Sequence, residues 1–348
     1  MISRLKVERL KSLPYFDHPF KPLTLLAGLN SSGKSTVIHA LRMLTHAQLG
    51  EDAMLSDFGP FRELLFKRQT SESESKTTSS IHINVKYLDG HANSLLLTEN
   101  EQHLRGEPRY AKLFRYLGAH RLGPQLYLPM SYKTGMAFDV GERGEFVIDC
   151  LSRYSDAIVP PELKHGNSRG DTLSFNTKAW LEVVSPGYEL NTQTLSRQDL
   201  ALATYNNIRP HNVGFGLSYT LPVIVSLLGL AAIGRANSAN YIVAIENPEA
   251  HLHPCGQTEI GRLIALAASA GVQVIVETHS DYVLDGIRIA IKDQLLEHES
   301  ATFLFFELDE NRESKVDRIF SDKRGKLSGW PVGFFDQGRN NKAELAGF

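Results

Sequence analysis

The nine residues GLNSSGKST, 28–36, constrain this chain more than any others. They fit the pattern G-x-x-x-x-G-K-[ST]. They stand between an apolar run, PFKPLTLLAG, and a stretch with helical spacing, VIHALRMLTHAQL. A strand that turns through glycines into a helix points backbone N–H groups and the positive helix end at phosphate oxygens. Gly28 and Gly33 allow the tight path. Lys34 would reach the β- and γ-phosphates and Ser35 would hold Mg²⁺. Asn30, Ser31, Ser32 and Thr36 complete the expected nucleotide contacts. The context predicts an α/β chain that binds ATP with Mg²⁺.

A second apolar run, YIVAI, leads directly into Glu246. At the C-terminal end of a strand in an open α/β sheet, a carboxylate can hold Mg²⁺ through water. Where ATPases of this design place a second carboxylate, the chain has Asn247. An amide can orient a water but cannot take its proton. Slow hydrolysis is expected, with Asn247 orienting the water and Glu249, which follows Pro248, assisting; Glu249 as a structural acid at a subunit seam stays open as the alternative. A third run, VQVIVE, precedes Thr278, His279 and Ser280, and His279 is expected to sense the γ-phosphate. His251 and His253 lack a third ligand at convincing spacing and read as loop packing.

Strand and helix signals alternate from 241 onward: YIVAIE, a helix near 256–270, VQVIVE, a helix near 281–293, then TFLFFEL. IHINVKYL and NSLLLTEN flank the turn DGHA and predict a hairpin. QTSESESKTTSS, 69–80, reads as a mobile polar loop. RGEPRYAKLFRYLGAHRLGPQ, 105–125, carries Arg105, Arg109, Lys112, Arg115 and Arg121. A solvated helix face is the favoured reading, with a phosphate or nucleic-acid contact as the alternative. YTLPVIVSLLGLAAIG, 219–234, is short for a membrane span and reads as a buried helix.

With 37 basic and 39 acidic residues and a net charge of -2, the chain is not a general nucleic-acid coat, although a local basic patch is allowed. Cys150 and Cys255 lie far apart, without disulfide or zinc spacing, which fits a reducing cytoplasm. The N-terminus lacks a signal-peptide core.

Together, GLNSSGKST, IENPEAHLHP and ETHSDYVL resemble the ABC-type ATPases of the SMC, RecF and OLD kind. FGLSYTLPVIVSLL, 215–228, is similar to the signature helix of that superfamily. Ser218 matches its serine, while Tyr219 and Thr220 stand where the pattern has glycine. YLGAHRLGP, VGERGEFVI and GWPVGFFDQ resemble a bacterial family of predicted AAA-type ATPases. The resemblance implies a two-lobed P-loop NTPase head with a mixed or parallel sheet, an antiparallel β subdomain and a helical insertion. It divides the chain into a nucleotide-binding lobe (1–125), a helical or loop insertion (126–206), a lobe with signature, acidic strand and switch (207–310) and a C-terminal extension (311–348). It further implies a homodimer holding two ATPs between one P-loop and the opposing signature, with Ser218 on the partner's γ-phosphate. The same resemblance implies a separate effector, such as a nuclease, and antiviral defence or nucleic-acid transactions as the setting. The last seventy residues lack the clustered acids of a metal nuclease. In GWPVGFFDQ, Trp330, Phe334 and Phe335 read as a plug onto the core. The competing readings are a non-hydrolysing ATP-gated clamp and a transporter ATPase, the latter disfavoured by the degenerate signature.

Overall fold

The computed structural model describes residues 1–67, 79–108, 110–131, 138–331, 333, 335 and 337–347. The polar loop expected at 69–80 falls almost wholly outside them, as do Arg109 and Phe334. In chain order the strands are β1 (Ile2–Leu10), β2 (Leu13–Pro19), β3 (Leu23–Gly28), β4 (Ile81–Tyr87), β5 (Ala92–Leu97), β6 (Gln102–Arg105), β7 (Phe114–Leu117), β8 (Tyr127–Pro129), β9 (Leu190–Leu195), β10 (Leu200–Tyr205), β11 (Ile242–Glu246), β12 (Gln273–Glu277), β13 (Ala301–Leu308) and β14 (Ser314–Ile319). The helices are α1 (Lys34–Gln48), α2 (Phe61–Leu64), α3 (Val147–Arg153), α4 (Leu173–Val184), α5 (Phe215–Asn237), α6 (Pro254–Ser269), α7 (Asp281–Lys292) and α8 (Gln337–Leu345).

A six-stranded sheet in the order β14-β13-β3-β12-β11-β7 forms the centre. All its pairings are parallel except β13 with the edge strand β14. Side chains on a strand alternate between faces. On β13, Phe303 and Phe305 enter one core while Leu304 and Phe306 enter the other. On β11, Val243 and Ile245 go one way, Ile242 and Ala244 the other. The central strands read as unbroken apolar runs because both faces are covered. One face carries α3 to α7 with a small sheet ordered β8-β10-β9. The other carries α1 and an antiparallel sheet ordered β2-β1-β4-β5-β6. The expected α/β fold, with its antiparallel subdomain, is the one observed. The 126–206 segment holds the strands β8 to β10 as well as its helices.

The apolar stretch 219–234 lies inside α5, whose residues Leu221 to Ala232 are all buried. A helix apolar on every side belongs in an interior. α5 is long and apolar enough to cross a membrane by composition, yet its most apolar window is 78% buried within the protein.

The reading of 105–125 as a solvated helix face is overturned. The segment runs from β6 through a short 3₁₀ turn, Ala111–Leu113, into β7, a strand of the central sheet. Arg105 and Lys112 are exposed as expected. Arg115 instead donates to the carbonyl oxygens of Phe138, Lys112 and Phe114, and Arg121 is only 3% exposed. The charge count gave no warning, because β7 is defined by its partner β11, well over a hundred residues away.

At the C-terminus, Phe335 packs against the larger core, as a plug would. Trp330 stays 44% exposed, with the Arg288 guanidinium 5.3 Å from its ring centroid.

Candidate nucleotide site

Three strands end side by side at the C-terminal edge of the central sheet. β3 ends at Gly28, β12 at Glu277 and β11 at Glu246, with β12 in the middle. Gly28 lies at φ +136 and Gly33 at φ +104, regions that side chains rarely adopt. A Cβ at Gly28 would run into the backbone of Phe306, and one at Gly33 would come 2.6 Å from Ser314 Oγ. The loop is therefore held against β13 and β14, and glycine is required for two reasons at once. Asn30 and Ser31 are exposed at its tip, and Ser32 donates to Leu29 O at 2.7 Å. Gly33 caps α1 without a side-chain hydrogen bond among the described residues, so the first N–H groups of the helix remain available to an anion. Thr36 is buried in the first turn of α1.

Lys34 is 3% exposed and folds back on its own loop, donating to Gly28 O at 3.1 Å and Leu29 O at 2.7 Å. Burial lowers its pKa, and the charge of Glu277 works against that shift. Ser35 Oγ donates to Glu277 Oε1 at 3.0 Å. Glu246 and Glu277 are direct partners in the parallel register, so their carboxylates leave the sheet on one face. By alternation from Ala244 and Ile275, that face is the α1 side. Burial and the neighbouring Glu246 push the Glu277 carboxyl up to about 7, against the pull of Ser35 and Lys34.

Glu246 Oε2 accepts from Tyr116 OH and from Ala119 N, each at 3.1 Å. Its Oε1 lies 3.9 Å from His39 Nε2. Burial, with Lys11 and Arg42 close by, lowers His39 to about 3, so the ring is neutral at pH 7. Arg121 fastens the turn after β11. Its guanidinium donates to Glu246 O at 2.7 Å, Asn247 O at 2.5 Å and Gly118 O at 2.9 Å. Burial lowers its pKa to about 10, so it stays charged.

Asn247 occupies the left-handed region at φ +45, which asparagine tolerates better than most residues. Its N–H donates to Glu277 O at 2.9 Å, and its buried Oδ1 has no hydrogen-bond partner among the described residues. Glu249 Oε1 accepts from His279 N at 2.8 Å, which ties the acidic turn to the switch turn. Burial raises the Glu249 pKa, partly offset by that N–H. The exposed His279 ring has a lowered pKa, from the part that is enclosed and from Lys34.

The structure thus brings Lys34, Ser35, Glu246, Asn247, Glu249 and His279 to one sheet edge. Ser218 lies elsewhere, in the first turn of α5, half-buried and lining the same small pocket as Tyr205. His251 stacks near Tyr219 and Phe215, and His253 caps α6 by accepting from Cys255 N. Neither is set up as a metal ligand, in keeping with loop packing. Sequence reasoning passed over Glu277, though its signal was there: VQVIVE ends in an acid as YIVAIE does. Tyr116, Arg121 and His39 carried no such signal.

Fit to a cation can be judged from unsatisfied atoms. Buried oxygens with no hydrogen-bond partner among the described residues include Glu246 Oε1 and Glu277 Oε2. With Ser35 they make a hard-oxygen set suited to Mg²⁺. No group of three His, Cys, Asp or Glu able to hold a metal occurs among the described residues, so phosphate oxygens would have to complete the shell.

The fold is α/β, with a mixed central sheet and an antiparallel subdomain, and its edge carries a glycine loop that leads from a strand into a helix. Comparison with known proteins agrees. A model described as an AAA ATPase domain matches residues 158–284, which include Glu246 and His279 but not the glycine loop. A second, for a protein of unknown function (DUF3696), matches residues 296–345. No curated protein matches. Among solved structures, the Smc head domain from Pyrococcus furiosus, with an extended coiled coil and bound to the C-terminal domain of ScpA, is 13% identical. That alignment covers 99% of each chain at a TM-score of 0.52. An SmcHead bound to the C-winged helix domain of ScpA is 14% identical, covering 92% of this chain and 98% of its own at a TM-score of 0.50. These likenesses speak for the fold. The ATPase-domain match supports ATP binding.

Proposed function

We propose that the chain binds ATP at this edge and hydrolyses it slowly, as a switch that works through ATP-dependent dimerisation. The observation that carries the reading is the convergence of Lys34, Ser35 and Glu246 where three parallel strands end beside an uncapped helix start. Gly28, Asn30, Ser31, Ser32, Gly33 and Thr36 would line the phosphates with backbone groups. Lys34 would exchange its loop carbonyls for phosphate oxygens. Ser35 and Glu246 would hold Mg²⁺, which when bound with the triphosphate offsets its negative charge. His279, on the turn beside Lys34, would contact the γ-phosphate.

For the water, Asn247 would orient and Glu249 would accept the proton. A carboxyl with a raised pKa suits a base working near neutrality. Glu249 also holds the switch turn through His279 N, so a change there reports on position as well as chemistry. A non-hydrolysing ATP-gated clamp is the second reading. It is favoured by Asn247 itself, an amide in a left-handed turn where the pattern calls for a carboxylate. Phosphate release should be measured for wild type, Asn247→Glu and Glu249→Gln. Slow hydrolysis predicts that Asn247→Glu is faster than wild type or that Glu249→Gln is slower by about 100-fold or more, the usual range for a general base being ~10²–10⁴-fold. A rate that neither change alters would move the base elsewhere, with His279 next.

In the dimer, Ser218 would face the nucleotide of the other subunit. A separate effector, a nuclease among the candidates, and a setting in antiviral defence or nucleic-acid transactions follow from resemblance alone. The Smc heads whose structures resemble this one are bound to ScpA domains. By analogy, a docking partner outside the ATP site is part of the proposal.

A further inference from the structure

We propose that Glu277 is a second carboxylate of the cation position, so that two acids on adjacent strands, with Ser35, hold the metal that accompanies ATP. The inference rests on the nucleotide reading above and assigns a residue that reading does not use.

The geometry comes first. Glu277 and Glu246 are paired in register on neighbouring parallel strands and share a face. Strands of a sheet lie about 4.8 Å apart, so two side chains that leave one face at the same level start out as near neighbours. Ser35, the residue expected to hold Mg²⁺, already touches one of them at 3.0 Å. Each acid makes bonds with one oxygen: Ser35 Oγ to Glu277 Oε1, and Tyr116 OH and Ala119 N to Glu246 Oε2. The other oxygen of each is buried and has no hydrogen-bond partner among the described residues. Both residues are more than nine-tenths buried, Glu246 at 7% exposure and Glu277 at 5%.

Burying two like charges side by side is costly unless a cation or a proton neutralises them. Lys34 supplies part of that charge, but both of its hydrogen bonds go to loop carbonyls. The donor set is all oxygen, which selects Mg²⁺ or Mn²⁺ over zinc. Two carboxylates and a hydroxyl leave half an octahedron open, and phosphate oxygens and water would close it. Metal and nucleotide should therefore bind together.

The test is a titration of Mg²⁺ against ATP affinity, repeated with Mn²⁺ and free-ion paramagnetic resonance as a direct readout of bound metal. In wild type, Mg²⁺ should tighten ATP binding. In Glu277→Gln the half-saturating Mg²⁺ should rise at least tenfold, while ATP binding in EDTA stays equal or becomes tighter, because a negative charge near the phosphates is gone. Glu277→Asp should fall between the two. Should Glu277→Gln fail to fold, Glu277→Asp alone must still shift the metal curve, since its carboxylate is withdrawn by one methylene. An unchanged metal curve in the folded variant, with normal ATP binding in EDTA, overturns the role of Glu277 and leaves the nucleotide site standing. A wild-type protein that does not bind ATP overturns both.

Discussion

At the scale of single residues, Arg121 shows how a fully charged side chain becomes part of the interior. Its guanidinium meets three backbone carbonyls, two of them those of Glu246 and Asn247 where β11 ends, and lies over the Tyr219 ring at 5.6 Å. The planar fork reaches diverging acceptors that a lysine ammonium cannot match. Arg121→Met would strand those carbonyls without water, and buried unsatisfied groups cost about 1–3 kcal/mol each. Urea denaturation should show a loss of roughly 3 kcal/mol or more for Arg121→Met, and a smaller one for Arg121→Lys. A loss within experimental error would mean that the turn is held by something else. Nothing in the run RGEPRYAKLFRYLGAHRLGPQ marks Arg121 apart from Arg105 or Lys112. The difference is made by β11, whose C-terminal carbonyls arrive from far along the chain. Glu277 was legible in principle, because an acid closing a five-residue apolar strand is costly anywhere but at a strand end with work to do. The local pattern gave Lys34, Ser35 and Glu246, because the phosphate loop and the acid-tipped strand are local devices.

At the scale of elements, the periodic signals were reliable where one segment carries its own pattern. α1 begins at Lys34, three residues before the helical spacing becomes visible, because the loop and helix are one unit. β4 and β5 pair as the DGHA turn requires. β7, β9 and β10 were not legible. β7 is four residues long, and β9, LNTQTL, is mostly exposed, so neither has the apolar alternation that marks a half-buried strand. α5 is the element on which the proposed assembly turns. It is buried for most of its length, but its first turn leaves Phe215 54% exposed beside His251. Ser218 stands in the first turn of the helix, beside Tyr205, with no hydrogen bond to its own phosphate loop among the described residues. That placement suits a group that acts on another subunit. Under the proposed two-fold arrangement, light scattering should show wild type moving to a dimer in ATP with Mg²⁺. Ser218→Arg should remain largely monomeric under the same conditions while still binding ATP. An unchanged wild-type monomer in saturating ATP, with hydrolysis proceeding, contradicts assembly through α5.

At the scale of the molecule, one sheet separates two cores, and its C-terminal edge opens between them. The antiparallel sheet and α1 press on one face, α5 to α7 on the other, and the phosphate loop, Glu277 and Glu246 lie where the faces meet. Binding there would tie β3, β12 and β11 to α1, so occupancy should stabilise the whole fold rather than one loop. A ligand at 100 times its Kd adds about 2.7 kcal/mol by linkage. The most direct measurement is thermal unfolding of wild type and Lys34→Ala across an ATP titration. Wild type should gain several degrees, saturating with ATP, and Lys34→Ala should gain none while unfolding normally without nucleotide. A Lys34→Ala protein stabilised by ATP as strongly as wild type would contradict the assignment of this edge as the nucleotide site.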